Sequence, residues 1–401
     1  MHDTMPGDPP DRTPNLRGDV RAALDAAWVE SEGYTAPNTE VYPWLWLWDS
    51  CFHSLIWAEL GEPERAVAEL SAALSTIDSA GFVAHMGYQL DPERPVELWG
   101  RRGASSITQP PMFGHTVAEL VRRGIEVPPA LVDAAARALS HLLHGRRRTG
   151  GLIEIVHPWE TGCDDSPRWD DLCPGEGFEL ERWRVHKVDL LAHVERGDAG
   201  EPLHNPKFPV ASVGFNALVA FNARELASAT GDGSMSAAVD ELVGSIDARF
   251  DRDLRTWVDV GPTETGSGRS RTADGLLPLL VTADRRARHR VVEELLDEDA
   301  YASAFGPRGV HVGEPTYAAS TYWRGPVWPQ LAYLLWIALD RAGEADAAEV
   351  VRTTTVSGAI ESGLAEYWNG DTGVGLGAIP QSWTGLALLM AVAQPGVAGS
   401  F

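Results

Sequence analysis

The sequence predicts an all-α protein, a closed toroid of helix pairs. Three observations predict it. Helical periodicity runs through nearly the whole chain, and few stretches alternate for long enough to make a strand. About ten to twelve helices follow one another, paired by short Gly/Pro turns. Some are apolar on more than one face, as over 210–229 and 331–339, whereas 63–77 and 344–356 are amphipathic. That is the division between inner helices buried all round and outer helices facing water. No repeat of fixed period is visible, which argues against a solenoid.

The elements follow in order. Residues 16–30 read as an amphipathic helix, and 51–60 as a helix continuing from a Trp-rich loop. Pro63 opens the next helix at the favoured first-turn position, with Ala66, Val67, Leu70, Ala73, Leu74 and Ile77 on its apolar face. Residues 114–123 and 129–144 pair across the turn 124–128. Residues 210–229 end at Thr230-Gly231-Asp232-Gly233, a stop signal, and 235–250 follow. Residues 329–341, 344–356 and 381–393 complete the set. Nothing Pro/Ser-rich interrupts the chain, so residues 16–401 read as one domain behind a flexible polar tail at 1–15.

Composition narrows the function. Among 401 residues, 33 Lys and Arg face 57 Asp and Glu, a formal charge of −24. Nucleic acid and anionic membranes need clustered positive charge, so neither is expected as a partner. The longest apolar run, 331–339, is far short of the ~20 residues that span a bilayer. The N-terminus has neither the basic start nor the apolar middle of a signal peptide. Cys51, Cys163 and Cys173 form no metal spacing, and an odd count of reduced thiols points to the cytoplasm. The 15 Trp outnumber the 10 Phe and 8 Tyr. Indole faces suit the C–H patches of sugars, so either a large core or an aromatic sugar pocket accounts for them.

Four constellations lie between the helices, where a toroid places its working loops. The first is Tyr42-Pro43-Trp44-Leu45-Trp46-Leu47-Trp48-Asp49-Ser50. Its three Trp at period two share a face if extended. Asp49 is either the N-cap of the following helix or an acceptor for sugar hydroxyls. The second is His157-Pro158-Trp159-Glu160-Thr161-Gly162-Cys163-Asp164-Asp165-Ser166-Pro167-Arg168-Trp169-Asp170. Its acids lie among indoles, which desolvate a carboxylate and raise its pKa toward that of a general acid. Asp164, Asp165, Asp170 and Asp171 also suit a hard cation, though they lack the alternation of a calcium loop. The third is Tyr322-Trp323-Arg324-Gly325-Pro326-Val327-Trp328, where Arg324 reads as an ion-pair brace. The fourth is Glu366-Tyr367-Trp368-Asn369-Gly370-Asp371-Thr372-Gly373, with Gln381-Ser382-Trp383 beyond it. Paired carboxylates from distant loops in an aromatic pocket describe a glycosidase.

Together, segments 46–50, 159–169, 322–328, 366–367 and 381–383 resemble the family-63 glycoside hydrolases and their clan. Within it they are similar to the small bacterial branch acting on mannosylglycerate and glucosylglycerate. The resemblance runs from about residue 40 to 393. It implies an (α/α)6 barrel and an inverting exo-α-glycosidase acting on a small α-glucoside or α-mannoside, without metal or cofactor. By position it makes Asp164 the general acid and Glu366 the general base. It places Tyr42, Trp46, Trp48, Asp49, Trp159, Gly162, Tyr322, Trp323, Trp328 and Gln381 around the sugar. Segments 81–86 and 107–111 suggest His85, Tyr88 and Gln109 as further contacts. Two departures stand out. Asp165 occupies a place where these enzymes often have Asn, and 173–207 match nothing in the family's pattern.

Two other classes use the same scaffold. Sugar epimerases work with His pairs, but His141, His144 and His186 sit in helical or charged runs. A non-catalytic sugar-binding protein would need the aromatic pocket without the two acids. An anionic leaving group would need local cations against the overall negative charge, and Arg182, Arg184, Arg196 and Lys207 in the unplaced stretch are candidates.

Overall fold

The computed structural model describes residues 13–393. Thirteen helices of α type appear among them. They are α1 (Thr13–Ala27), α2 (Leu47–Leu60), α3 (Pro63–Leu74), α4 (Val96–Trp99), α5 (Phe113–Arg122), α6 (Pro129–Gly145), α7 (Leu180–Leu191), α8 (Val213–Thr230), α9 (Ser236–Asp247), α10 (Arg285–Leu296), α11 (Pro329–Arg341), α12 (Ala345–Glu361) and α13 (Leu386–Val392). The strands among the described residues form six two-stranded antiparallel pairs, each strand two or three residues long. None builds a layer, so the chain is helix-rich, as its periodicity predicts. No helix among the described residues is long and apolar enough to cross a membrane.

The packing closes on itself. Helix α2 packs on α5, α5 on α8, and α8 on a 3-10 helix at Ala273–Leu280. That segment packs on α11, α11 on α13, and α13 returns to α2. Outside this ring, α3 lies on α2, α9 on α8, and α12 on α11 and α13. Helix α6 spans α5 and α8, α1 packs on α13, and α10 meets α12. Burial follows the sequence pattern. Every residue of α11 from Pro329 to Leu339 is buried, whereas α3 buries one stripe, Ala66, Glu69, Leu70 and Ala72 to Leu74.

Several boundaries differ from expectation. Of the tail expected at 1–15, residues 1–12 lie outside the described residues, and 13–15 already belong to α1. Pro14 does not delay this helix, because its missing N–H falls in the first turn, where no intrahelical bond is due. Helix α2 starts at Leu47, four residues earlier than expected, with Trp46 as its N-cap. Asp49 therefore lies in its first turn and caps nothing. The ring member at Ala273–Leu280 escapes a periodicity search because Pro278 forbids α-helical bonding in its interior. Helices α7 and α10 are absent from the sequence reading, since the charge of LERWRVHKVDLL and RRARHRVVEELL masks their stripes.

Ring helices must approach closely. Gly114 of α5 lies so near α8 that a Cβ there would sit 2.3 Å from the Asn222 carbonyl oxygen. The Asn222 side chain meanwhile accepts the His115 N–H at 2.7 Å. Gly114→Ala should force the two helices apart and cost about 1–3 kcal/mol, read as a lower Tm and a lower denaturant midpoint.

Candidate active site

The acid-rich loop is sorted by cations. Glu160 is fully buried against Arg146 at 2.7 Å and also accepts the Val156 and Thr108 N–H groups. Asp165 pairs with Lys187 of α7 at 2.5 Å. Asp170 takes a two-pronged contact from Arg324, at 2.8 and 2.6 Å, which is the bracing role expected of that arginine. Asp171 accepts the Ser267 N–H at 2.7 Å. These carboxylates turn to separate partners rather than to a shared cation. Asp164 has no cation within 4.0 Å among the described residues. Its Oδ2 faces the Tyr322 hydroxyl at 3.4 Å, and its carbonyl accepts the Trp183 indole N–H. Burial pushes the Asp164 carboxyl up to about 7; Lys187 opposes this, while Asp165 and Glu366 add to it.

Glu366 comes from a distant part of the chain, one residue before the strand pair Tyr367–Trp368 and Gly375–Leu376. Its Oε1 accepts the Tyr42 hydroxyl at 3.0 Å and its Oε2 the Ala378 N–H at 2.9 Å. Burial raises its pKa, and these two donors moderate the rise. The Tyr42 phenol is itself raised, by burial and by the facing Glu366.

Both carboxyls line one cavity with two parts. The outer chamber, about 690 Å³, and an inner recess share Tyr42, Trp46, Gln109, Asp164, Tyr322 and Glu366. Trp48, Asp49, Gly162, Trp323, Gln381 and Trp383 add to the recess. Gly162 has φ +71°, and a Cβ there would lie 2.5 Å from the Trp48 ring, so only glycine fits. Trp323 holds a positive φ of 57° and stacks on Trp328 at 3.7 Å and 6°. Three buried polar atoms around the recess, Trp46 Nε1, Trp323 Nε1 and Gln381 Oε1, have no protein partner. Leaving each unpaired costs about 1–3 kcal/mol. Unpaired donors and acceptors among indole faces are the complement of a sugar's hydroxyls and C–H patches.

The family model for the mannosylglycerate hydrolase MGH1-like glycoside hydrolase domain matches residues 42–384. The chain belongs to this glycoside hydrolase family. It is 27% identical over 452 residues to the mannosylglycerate hydrolase of Rubrobacter radiotolerans, covering 98% of this chain and 100% of that one. It is 27% identical over 419 residues to the glucosylglycerate hydrolase of Mycolicibacterium hassiacum, covering 87% of this chain and 92% of the other. A solved structure of the GH63 mannosylglycerate hydrolase from Thermus thermophilus in complex with glucose superposes with a TM-score of 0.80 at 25% identity, covering 94% of this chain and 99% of that one.

The glycoside hydrolase gathers nearly every residue singled out in its sequence. His85, Tyr88 and Trp159 join the outer chamber. His85 is held neutral: burial drops its pKa to about 3, and its Nδ1 meets Ser105 Oγ at 2.6 Å. It is the one histidine on the cavity wall among the described residues, which leaves no His pair for an epimerase. Trp328 is the exception. It lines neither part of the cavity but stands behind Trp323, stacked on Tyr367 as well, so it supports the wall rather than touching its contents. Of the four expected cations, only Arg184 reaches the cavity. Arg182 is spent on the Glu176 and Gly177 carbonyls and Arg196 on Ser106 and Gly200. Lys187, Trp99, Phe178 and Tyr367 line the outer chamber without having been expected. Phe178 and Lys187 come from the unplaced stretch; the signal available for Trp99 was the excess of aromatic residues, and for Tyr367 its place in the fourth constellation beside Glu366.

Asp49, nearly fully buried on the recess, tests the hydroxyl-binding reading. Asp49→Asn swaps an acceptor oxygen for a donor amide without removing a cap. Tm should hold while kcat/KM falls about ten- to hundredfold. A large loss of Tm with normal turnover would assign Asp49 to folding.

Proposed function

We propose that the chain is an inverting exo-α-glycosidase hydrolysing a small α-mannoside or α-glucoside, with mannosylglycerate and glucosylglycerate as its substrates, on an (α/α)6 barrel. The closed ring of helices, with outer helices packed on most of its members, supports the barrel. The main core cluster, which draws on residues from Leu16 to Met390, supports a single catalytic domain over 16–401. Three free, buried cysteines fit a reducing, cytoplasmic setting.

The observation that carries the mechanism is the position of Asp164 and Glu366 on the shared wall of recess and chamber. A sugar in the recess and its leaving group in the chamber put the scissile bond between them. Asp164, whose carboxyl burial pushes up to about 7, gives its proton in the protonated form to the glycosidic oxygen as the bond from that oxygen to the anomeric carbon breaks. Glu366, ionised, takes a proton from a water whose oxygen bonds to the anomeric carbon from the opposite face. The anomer inverts and no covalent intermediate forms. The Tyr42 hydroxyl and the Ala378 N–H fix the Glu366 carboxylate for this task.

Asp164→Asn and Glu366→Gln should each lower turnover by about 10²–10⁴-fold with the fold retained. NMR of the first-released sugar should show the β anomer from an α-glycoside; an α product would overturn inversion. Because the acid must be protonated, kcat/KM should fall as pH rises through about 7, the region where the buried Asp164 titrates.

The names of the relatives point to a glycerate leaving group, and one cation supports it. Lys187 and Arg324 are paired with loop carboxylates, whereas Arg184 pairs only with the exposed neighbour Glu181. Arg184 is thus the cavity cation available to a carboxylate. Arg184→Gln should raise KM for mannosylglycerate about tenfold or more while leaving the matching glycerol glycoside unaffected. Equal effects on both would remove Arg184 from carboxylate binding.

A further inference from the structure

The Asp165–Lys187 pair is not explained by binding or by fold stability. Both side chains are buried, at 8% and 7% exposure, and a buried pair rarely repays its desolvation. The pair sits beside the proposed acid: Asp165 is its chain neighbour, and Lys187 lines the same chamber. Other contacts fasten the same two segments. Trp183 Nε1 donates to the Asp164 carbonyl at 3.2 Å, and His157 Nε2 lies 2.7 Å from the Lys187 carbonyl. The Lys187 ammonium also stands 5.6 Å from the centre of the Trp159 ring.

We propose that Asp165 and Lys187 form a charge-compensated positioning pair, which seats the Asp164 loop against α7 and sets the balance of charge facing the Asp164 carboxyl. The proposal rests on Asp164 being the proton donor. The groups facing that carboxyl are Lys187 from α7, Asp165 in its own loop, Glu366 and Tyr42 across the cavity, and Tyr322 from the third constellation, while Arg184 and Arg324 line the same chamber. Among them Lys187 favours the ionised acid and Asp165 the protonated one. Since the two oppose each other, removing one must move the acid's titration in a direction fixed by which one is lost. An asparagine at 165 would keep the loop's shape but leave the Lys187 charge facing Asp164 alone.

The experiment is the pH dependence of kcat/KM for the wild type, Asp165→Asn, Lys187→Gln and the double variant. Each is assayed with mannosylglycerate and with a dinitrophenyl α-mannoside, whose leaving group departs without a proton. Asp165→Asn should move the alkaline limb down by about one pH unit and Lys187→Gln should move it up by a similar amount. The double variant should bring it back toward the wild-type position. That restoration is a readout that loosened packing would not produce, and it survives even if one single variant folds poorly. Limbs that stay in place, or move the same way in both single variants, would overturn the pair's role. The wild-type limb should vanish with the dinitrophenyl substrate. If it persists there, Asp164 is not the proton donor and both readings fall; if it vanishes and the variants do not shift, only the pair's role falls.

Discussion

A fully buried guanidinium, that of Arg168, has to be neutralised where it sits, and three segments of the chain meet to do it. Its Nη1 lies 2.8 Å from Asp259, its Nε donates to Thr272 Oγ1 at 2.7 Å, and its Nη2 donates to the Trp257 carbonyl at 3.0 Å. Asp259 in turn accepts the Val213 N–H at the start of α8. A charge left unpaired at such a depth costs several kcal/mol. The acid-rich loop, the start of α8 and the approach to the 3-10 ring member therefore take up their positions together. This fixes the seat of Asp164, four residues before Arg168, with respect to the ring of helices.

The same device recurs around the cavity and explains its electrostatics. Arg146 holds Glu160, Lys187 holds Asp165 and Arg324 holds Asp170. Each pair spends a cation on a carboxylate whose task is placement. What is left over is informative. Asp164 and Glu366 receive only hydroxyl or amide donors, and burial raises both, outweighing the opposing Lys187 charge at Asp164. In a chain of formal charge −24, the two carboxyls proposed to act are ones with which no cation forms a direct pair.

The legibility of the site in the sequence follows from what holds each part. Apolar runs such as α11 and the stripe of α3 can be read because burial there depends on side chains alone. The motif loops are legible for a different reason. Their Trp, Gly and carboxylate residues have geometric duties that few other residues can meet, as Gly162 under the Trp48 ring shows. Three features were hidden. The 3-10 ring member depends on packing around Pro278 and not on periodicity. Asp49 looks like a helix cap because the chain enters α2 earlier than its polar residues suggest. Trp328 looks like a pocket residue because it shares a motif with Trp323, yet a stacked indole has two faces and the sequence does not say which residue stands in front.

The cavity is thus built in two materials. The inner recess is made of stacked indoles and of polar atoms whose partners are not protein, backed by Trp328 and Tyr367. Its parts are held by close packing, and Trp323 gives up backbone comfort at φ 57° to complete it. Such walls tolerate little change, so the residues of the recess fall in motifs that can be read. The α7 wall of the outer chamber is different. It is formed by α7 and its approach, whose Leu180 and Arg184 are exposed and whose ties to the loop run through Lys187 and Trp183. One helix can change its outward residues without disturbing the ring, because its hold on the loop uses other positions. That separation accounts for a stretch, 173–207, with no readable motif lying directly over a pocket whose opposite wall is dense with them.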